Sequence, residues 1–223
     1  MFRICPSRLF VSIAALVSLL SGSGCADDQE LFIIKNAVPL DENCGVDTAT
    51  LLIQDTLDVS LDGPFGIGLL LENVQTNNAQ SNTGLDDDGE LKIEYAEVRL
   101  TPTEGNAPAG LDTSFEVPLA TSSLGSGEEI GIFVQVPASV TASLASTVPA
   151  DGTLTTLEMG VVIVADRTAQ VANGKLGEVR SREFVFPFTV CNGCLTGCVP
   201  ACGMATASNC VEDEGSDTST TGP

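Results

Sequence analysis

Four cysteines fall within twelve positions near the end of the chain: Cys191, Cys194, Cys198 and Cys202, in the stretch CNGCLTGCVPACG. A group this dense has three physical uses: a metal cage, a redox centre, or covalent staples. The compartment selects among them, because disulfides persist where the surroundings are oxidising.

The other end of the chain speaks to that. Residues 1–24 read MFRICPSRLFVSIAALVSLLSGSG, with Arg3 and Arg8 giving a basic start and no acidic residue before Asp27. The apolar run Leu9–Leu20 is 12 residues long. A membrane span needs about 20, whereas 12 suits the apolar region of a secretory signal. The chain is expected to be exported. The stretch LLSGSGC is similar to a bacterial lipoprotein signal, in which small residues precede a cysteine that is acylated after cleavage, here Cys25. Gly22 stands where such signals usually carry leucine or another aliphatic residue. The competing expectation is an ordinary signal cut after Ala26. Acyl chains on Cys25 would anchor the protein stably, at about 0.8 kcal/mol per buried methylene. Ala26 after the cysteine, rather than a retaining aspartate, points to the outer membrane, with the membrane face left open.

Removing residues 1–24 leaves 199 residues, in which seven basic side chains face thirty acidic ones, a charge of −23. Nucleic acid and anionic headgroups would be repelled by such a surface, so no nucleic-acid partner is expected. The charge suits an exported domain that must stay soluble. Histidine is absent, which removes Ser-His-Asp and Cys-His catalysis and histidine zinc sites. The lysines Lys35, Lys92 and Lys175 sit in no recognisable motif. Nothing in the sequence argues for an enzyme or a cofactor.

Once the signal and Cys25 are set aside, six cysteines remain: Cys44, Cys191, Cys194, Cys198, Cys202 and Cys210. Three disulfides are expected, with 15 pairings open. Five cysteines cannot pair among themselves, so one bridge joins Cys44 to the cluster. Closing about 150 residues is worth about 5 kcal/mol in the chain-entropy model, and a bridge within the cluster about 2. A zinc cage is disfavoured, because only one C-x-x-C pair is present and Gly193, Gly197, Pro200 and Gly203 oppose a helix that would align the thiols. The spacing also departs from iron–sulfur runs. A redox site at Cys191 and Cys194 has one attraction: the apolar run EFVFPFTV leads straight into CNGC. No helix start follows to lower a thiol pKa. The cluster is expected to be a clasp.

Between the two ends the pattern is β. Runs at 31–35, 50–61, 65–74, 90–100, 114–120, 129–137, 156–168 and 178–190 make about eight strands, separated by Gly/Pro/Asn/Asp-rich breaks such as LDGP, PTEGNAPAG and VPADG. The expected fold is all-β, an antiparallel immunoglobulin-like sandwich over 31–190. In ELKIEYAEVRL, Leu91, Ile93 and Tyr95 are expected on one face and Val98 and Leu100 on the other, with a bulge between. FGIGLLLENV is too apolar for a strand with one wet face and suggests a central position. ASVTASLAST (138–147) is expected to be a short helix. The domain plan is completed by a signal at 1–24, an anchor linker at 25–30, the clasp at 191–210, and an acidic tail at 211–223 expected to be disordered.

The segments IIKNAVPLDENC, DTLDVSL, LLLENVQ, IEYAEVRL and REFVFPFTVCNGCLTGC together resemble uncharacterised myxobacterial-type lipoproteins, over about residues 25–202. The resemblance implies a signal, a β-rich domain and a C-terminal cysteine cluster in the envelope, and it supplies no activity. GLLLENVQTNN with LKIEYAEVRL is more weakly similar to the immunoglobulin-like sandwiches of water-stress proteins, a likeness of fold.

One loop, GLDDDGELKIE, offers Asp86, Asp87, Asp88 and Glu90 as oxygen ligands for calcium, without the alternating spacing of an EF-hand. The plainer expectation is an Asp-Gly hairpin turn into the strand from Glu90. The polar stretch 76–89 is long for a hairpin. The leading functional expectation is a non-enzymatic, lipid-anchored envelope protein that binds another protein or an envelope component. The alternatives are a disulfide-exchange factor using Cys191 and Cys194, and a calcium-dependent adhesive module.

Overall fold

The computed structural model describes residues 31–61, 63–75, 89–103, 113–169 and 174–212. Two sheets face each other. The smaller holds β1 (Phe32–Val38), β3 (Phe65–Asn73) and β6 (Glu129–Val136) in the order β1-β3-β6. The larger holds β2 (Asp55–Asp58), β9 (Phe184–Cys191), β7 (Thr155–Ala169), β4 (Leu91–Pro102) and β5 (Thr113–Leu124) in that order. There β8 (Gly174–Arg180) also pairs with β7. The expected all-β sandwich is what the chain forms. Among the described residues every strand pairing is antiparallel except β2 with β9, which is parallel in the register Asp55↔Phe188 to Asp58↔Cys191.

Period-2 alternation places the inner faces. Ile67, Leu69 and Leu71 on β3, Ile132 and Val134 on β6, and Met159, Val161 and Ile163 on β7 share one buried core. Phe65 from the small sheet stacks on Phe188 from the large one, with ring centroids 5.0 Å apart. Each such ring taken from water contributes roughly 1.5–3 kcal/mol. β3 is the central strand of its sheet, as its apolar sequence requires. Its outer face carries Gly66 and Gly68, and a Cβ on Gly68 would fall 2.6 Å from the Val38 carbonyl oxygen and 3.2 Å from Val46 Cγ1. The absent side chain lets the 39–54 connection lie close over this sheet.

Three expectations are refined. Tyr95 does not share a face with Leu91 and Ile93. Against β7 the register shifts between Ile93↔Ala165 and Tyr95↔Val164, so Glu94 is the extra residue of a bulge. That single insertion keeps Leu91, Ile93, Ala96, Val98 and Leu100 all buried and turns Tyr95 outward. The predicted strand at 178–190 is two, interrupted at Ser181. The Ile163 N–H donates to Ser181 Oγ (3.0 Å), and the Ser181 N–H donates back to the Ile163 carbonyl (3.0 Å), which carries the ladder across the break. β3 and β4 do not form a hairpin pair, because β3 lies in the small sheet and β4 in the large one; the Asp-Gly turn expected before Glu90 falls on residues 76–88, outside the described residues. Asn73, fully buried at the end of β3, ties it to the start of β4 by donating to the Gly89 carbonyl (2.6 Å), and it also donates to the Leu124 carbonyl (3.0 Å).

The expected helix is present as α1 (Ala138–Thr147), opened by Pro137, with Leu144 buried in the core. Pro suits a helix start because the first N–H groups lack partners in any case. No helix among the described residues is long and apolar enough to cross a membrane.

Candidate functional site

The cysteine clasp is the most constructed part of the surface, and it is built on β2. This four-residue strand, DTLD, has Leu57 fully buried in the core, with an aspartate at each end. One side of β2 pairs with β9. On its other side Leu57 bridges Thr206, and the Asp58 N–H donates to the Ala205 carbonyl at 2.9 Å. The clasp thus covers what would be an exposed sheet edge, a site of unwanted pairing in other β-proteins.

The two aspartates do the gripping. Asp55 accepts from the Ser208 N–H (3.0 Å) and hydroxyl (2.6 Å), which holds the 3-10 turn Ala207–Asn209. Asp58, 1% exposed, reaches the other half of the clasp. Its Oδ1 accepts from the Gly193 N–H (2.8 Å), the Ser60 N–H (2.9 Å) and the Ser60 hydroxyl (2.7 Å), and its Oδ2 from the Leu195 N–H (2.8 Å). Burial pushes this carboxyl upward, but the donors from Gly193, Leu195 and Ser60 outweigh it and hold the group below the usual carboxylate range. Gly193, at φ 88°, takes a backbone conformation that strains other residues, which lets the turn present its N–H groups.

All six expected cysteines pair: Cys44 with Cys202, Cys191 with Cys194, and Cys198 with Cys210. The inferred link from Cys44 to the cluster is there, across 158 residues. It ties the 39–54 connection, lying on the small sheet, to the clasp on the large one. Asp41 shapes its near end: its carboxylate accepts from the Asn43 and Gly45 N–H groups, both at 2.8 Å, and the turn presents Cys44 at φ 63°. Cys198–Cys210 pins the two-stranded ribbon of β10 (Cys198–Pro200) and β11 (Cys210–Glu212), so the clasp runs two residues past its expected end at 210. Cys191–Cys194 closes the turn after β9, with Cys191 fully buried and Cys194 half-buried. The Asp58 carboxylate lies beside this last pair, its oxygen and the two sulfurs all within 4.8 Å of one another.

Other expected site residues fare differently. Cys25 and Asp86, Asp87 and Asp88 lie outside the described residues, and so does the tail from residue 213. Glu90 is half-buried just before β4. Sequence reasoning missed Asp55 and Asp58. The available signal was an aspartate at each end of a short apolar run, where strands usually avoid this residue.

A second feature lies on the outer face of the large sheet, a shallow groove of about 420 Å³ floored by Gly160 and Val162. Glu183 crosses Gly160 to reach Arg99 on β4, with Oε1 2.7 Å from Nη2. Glu97, which pairs with Arg180, stands opposite Glu116 on β5. The groove is predominantly acidic and open to solvent.

Fold and site together define an all-β sandwich whose open edge is closed by a disulfide clasp. No protein-family model matches the chain, and no curated protein matches it.

Proposed function

We propose that the protein is exported, anchored to the outer membrane through acylated Cys25, and acts as a non-enzymatic module that binds another protein or an envelope component. One observation supports this above the others. The three bridges use all six cysteines between residues 31 and 212, so among the described residues none is left to pair with Cys25. A clasp with every cysteine oxidised suits an exported chain, and Cys25 sits directly behind the export signal, where acylation would use it. The resemblance to myxobacterial-type lipoproteins points the same way.

The test is the intact mass of protein taken from its native membrane, with and without reduction and alkylation. Acylation at Cys25 together with six thiols released only by reduction supports the proposal. A soluble protein beginning at Asp27, or free thiols before reduction, sinks it. In Cys25→Ser the anchored fraction should fall to background while the folded domain persists.

Disulfide exchange through Cys191 and Cys194 is the second reading. It draws on the delivery of Cys191 by β9 straight into the CNGC turn, with Cys194 partly open to solvent. The burial of Cys191 weighs against it, because the turn continues into β10 and offers no helix start to stabilise a thiolate. The calcium-dependent reading rests on Asp86, Asp87 and Asp88; it requires a melting temperature that rises with calcium and stops doing so when these become asparagine.

A further inference from the structure

The Asp58–Cys191–Cys194 group has a chemistry that the clasp does not use. In the disulfide form the two sulfurs are neutral, and the group carries the single charge of Asp58. Reduction changes this. A dithiol donor gives two electrons and two protons to the bridge and is itself oxidised to a disulfide, leaving the thiols of Cys191 and Cys194 beside the carboxylate. Full ionisation would gather three negative charges within 4.8 Å of one another, at a place where Cys191 and Asp58 are shielded from water. Like charges so close and so poorly solvated repel strongly. Either protons stay on the sulfurs or a dication replaces them.

The geometry favours the dication. Asp58 Oδ1 is occupied by three hydrogen bonds and Oδ2 by one, which leaves a lone pair on Oδ2 for a metal. Those same bonds orient the carboxylate, as hydrogen bonds to metal-ligating groups commonly do. Zinc–sulfur bonds of about 2.3 Å and zinc–oxygen bonds of about 2.1 Å put ligand atoms roughly 3.6–3.8 Å apart around a tetrahedral ion. The opened pair must spread to that distance and the carboxylate close by about 1 Å at most. Half-buried Cys194 is the member with room to turn. Two thiolates and a carboxylate select a thiophilic ion over calcium or magnesium. Cys198 and Cys202 are not among the ligands, because the group within 4.8 Å of the Asp58 carboxylate holds only the sulfurs of Cys191 and Cys194.

We propose that Cys191, Cys194 and Asp58 form a redox-gated site for a thiophilic divalent cation of the zinc type, closed as a disulfide and opened by a dithiol reductant. Binding releases the two thiol protons and leaves a fourth position, on the solvent side of Cys194, for water. The inference stands apart from the proposed anchoring and does not depend on it.

The experiment uses the full mature chain, reduced anaerobically with a phosphine and titrated with cobalt(II) and then zinc. One metal per chain is expected, with the charge-transfer absorption of cobalt bound to thiolate. Zinc should protect Cys191 and Cys194 from alkylation while Cys44, Cys198, Cys202 and Cys210 react. Asp58→Ala should weaken binding at least tenfold, and the double variant Cys191→Ser/Cys194→Ser should abolish it, whereas Cys44→Ser/Cys202→Ser should leave the absorption in place. Binding undiminished in Cys191→Ser/Cys194→Ser, or protection falling on other cysteines, overturns the proposal. Loss of the β-sheet circular dichroism on reduction overturns it equally, because the site is then never assembled.

Discussion

Removing the Cys44–Cys202 bridge is the sharpest test of how the clasp stabilises the fold. The bridge closes a separation of 158 residues, against 12 for Cys198–Cys210. In the chain-entropy model these contribute about 5 and about 3 kcal/mol. Cys44→Ala/Cys202→Ala should therefore cost about 2 kcal/mol more than Cys198→Ala/Cys210→Ala. For a domain of this size about 5 kcal/mol lowers the melting temperature by roughly 10–20 °C. A second effect separates loop closure from local strain. Cys44 and Cys202 have φ of 63° and 56°, left-handed backbone that costs a non-glycine residue about 1–2 kcal/mol. Glycine tolerates this conformation, at some cost in unfolded-state entropy. Cys44→Gly/Cys202→Gly should thus be more stable than the alanine pair by up to about 1 kcal/mol per site. Urea and thermal melts of the three double variants under identical oxidising conditions decide the matter. If the Cys44 alanine pair proves no less stable than the Cys198 pair, the loop-length reasoning fails. If the glycine pair is no better than the alanine pair, the left-handed backbone is imposed by the bridge and not by the fold around it.

Asp58→Asn leaves the Leu195 N–H facing an amide that cannot accept equally well at both positions, and should cost about 1–3 kcal/mol at pH 7. The folded-state pKa of Asp58 lies below its unfolded value, so its contribution is present above the unfolded pKa of about 3.9 and is lost as pH falls through the folded one. Urea midpoints for wild type and Asp58→Asn should converge as pH drops from 5 toward 2, and a constant gap would contradict the assignment. Gly68→Ala drives a Cβ against the Val38 carbonyl and should destabilise by roughly 1–3 kcal/mol. Gly160→Ala first meets the movable Glu183 side chain and should cost no more than about 1 kcal/mol, the worth of an exposed ion pair; comparable melting losses in the two would refute the distinction. Leu57→Ala should cost about 2–5 kcal/mol and speed hydrogen exchange at the Asp58 N–H together with the N–H groups of residues 205–209, whereas exchange confined to β2 would show that the clasp does not rest on it.

Much of the fold was legible in local sequence, because the information was local. Alternating side chains and Gly/Pro/Asn/Asp breaks mark strands whether or not their partners are known, and Pro137 ahead of ASVTASLAST marks the start of α1. The need for a bridge from Cys44 to the cluster followed from parity alone, since five cysteines cannot close among themselves. Parity says nothing of partners: Cys202 faces Cys44 only because the 39–54 connection folds back over a sheet that contributes no cysteine. Tertiary structure alone decided the rest. The bulge at Glu94 reverses the facing of Tyr95 relative to simple alternation, and a one-residue insertion leaves little trace in composition. The crossing from β3 to β4 looks like a hairpin in sequence because a polar loop with Asp-Gly reads the same whichever sheet receives the next strand. Asp55 and Asp58 find their donors 153, 135 and 137 residues away, at Ser208, Gly193 and Leu195. A buried carboxylate is tolerable only where such donors converge, and that convergence exists in space long before it can be seen along the chain.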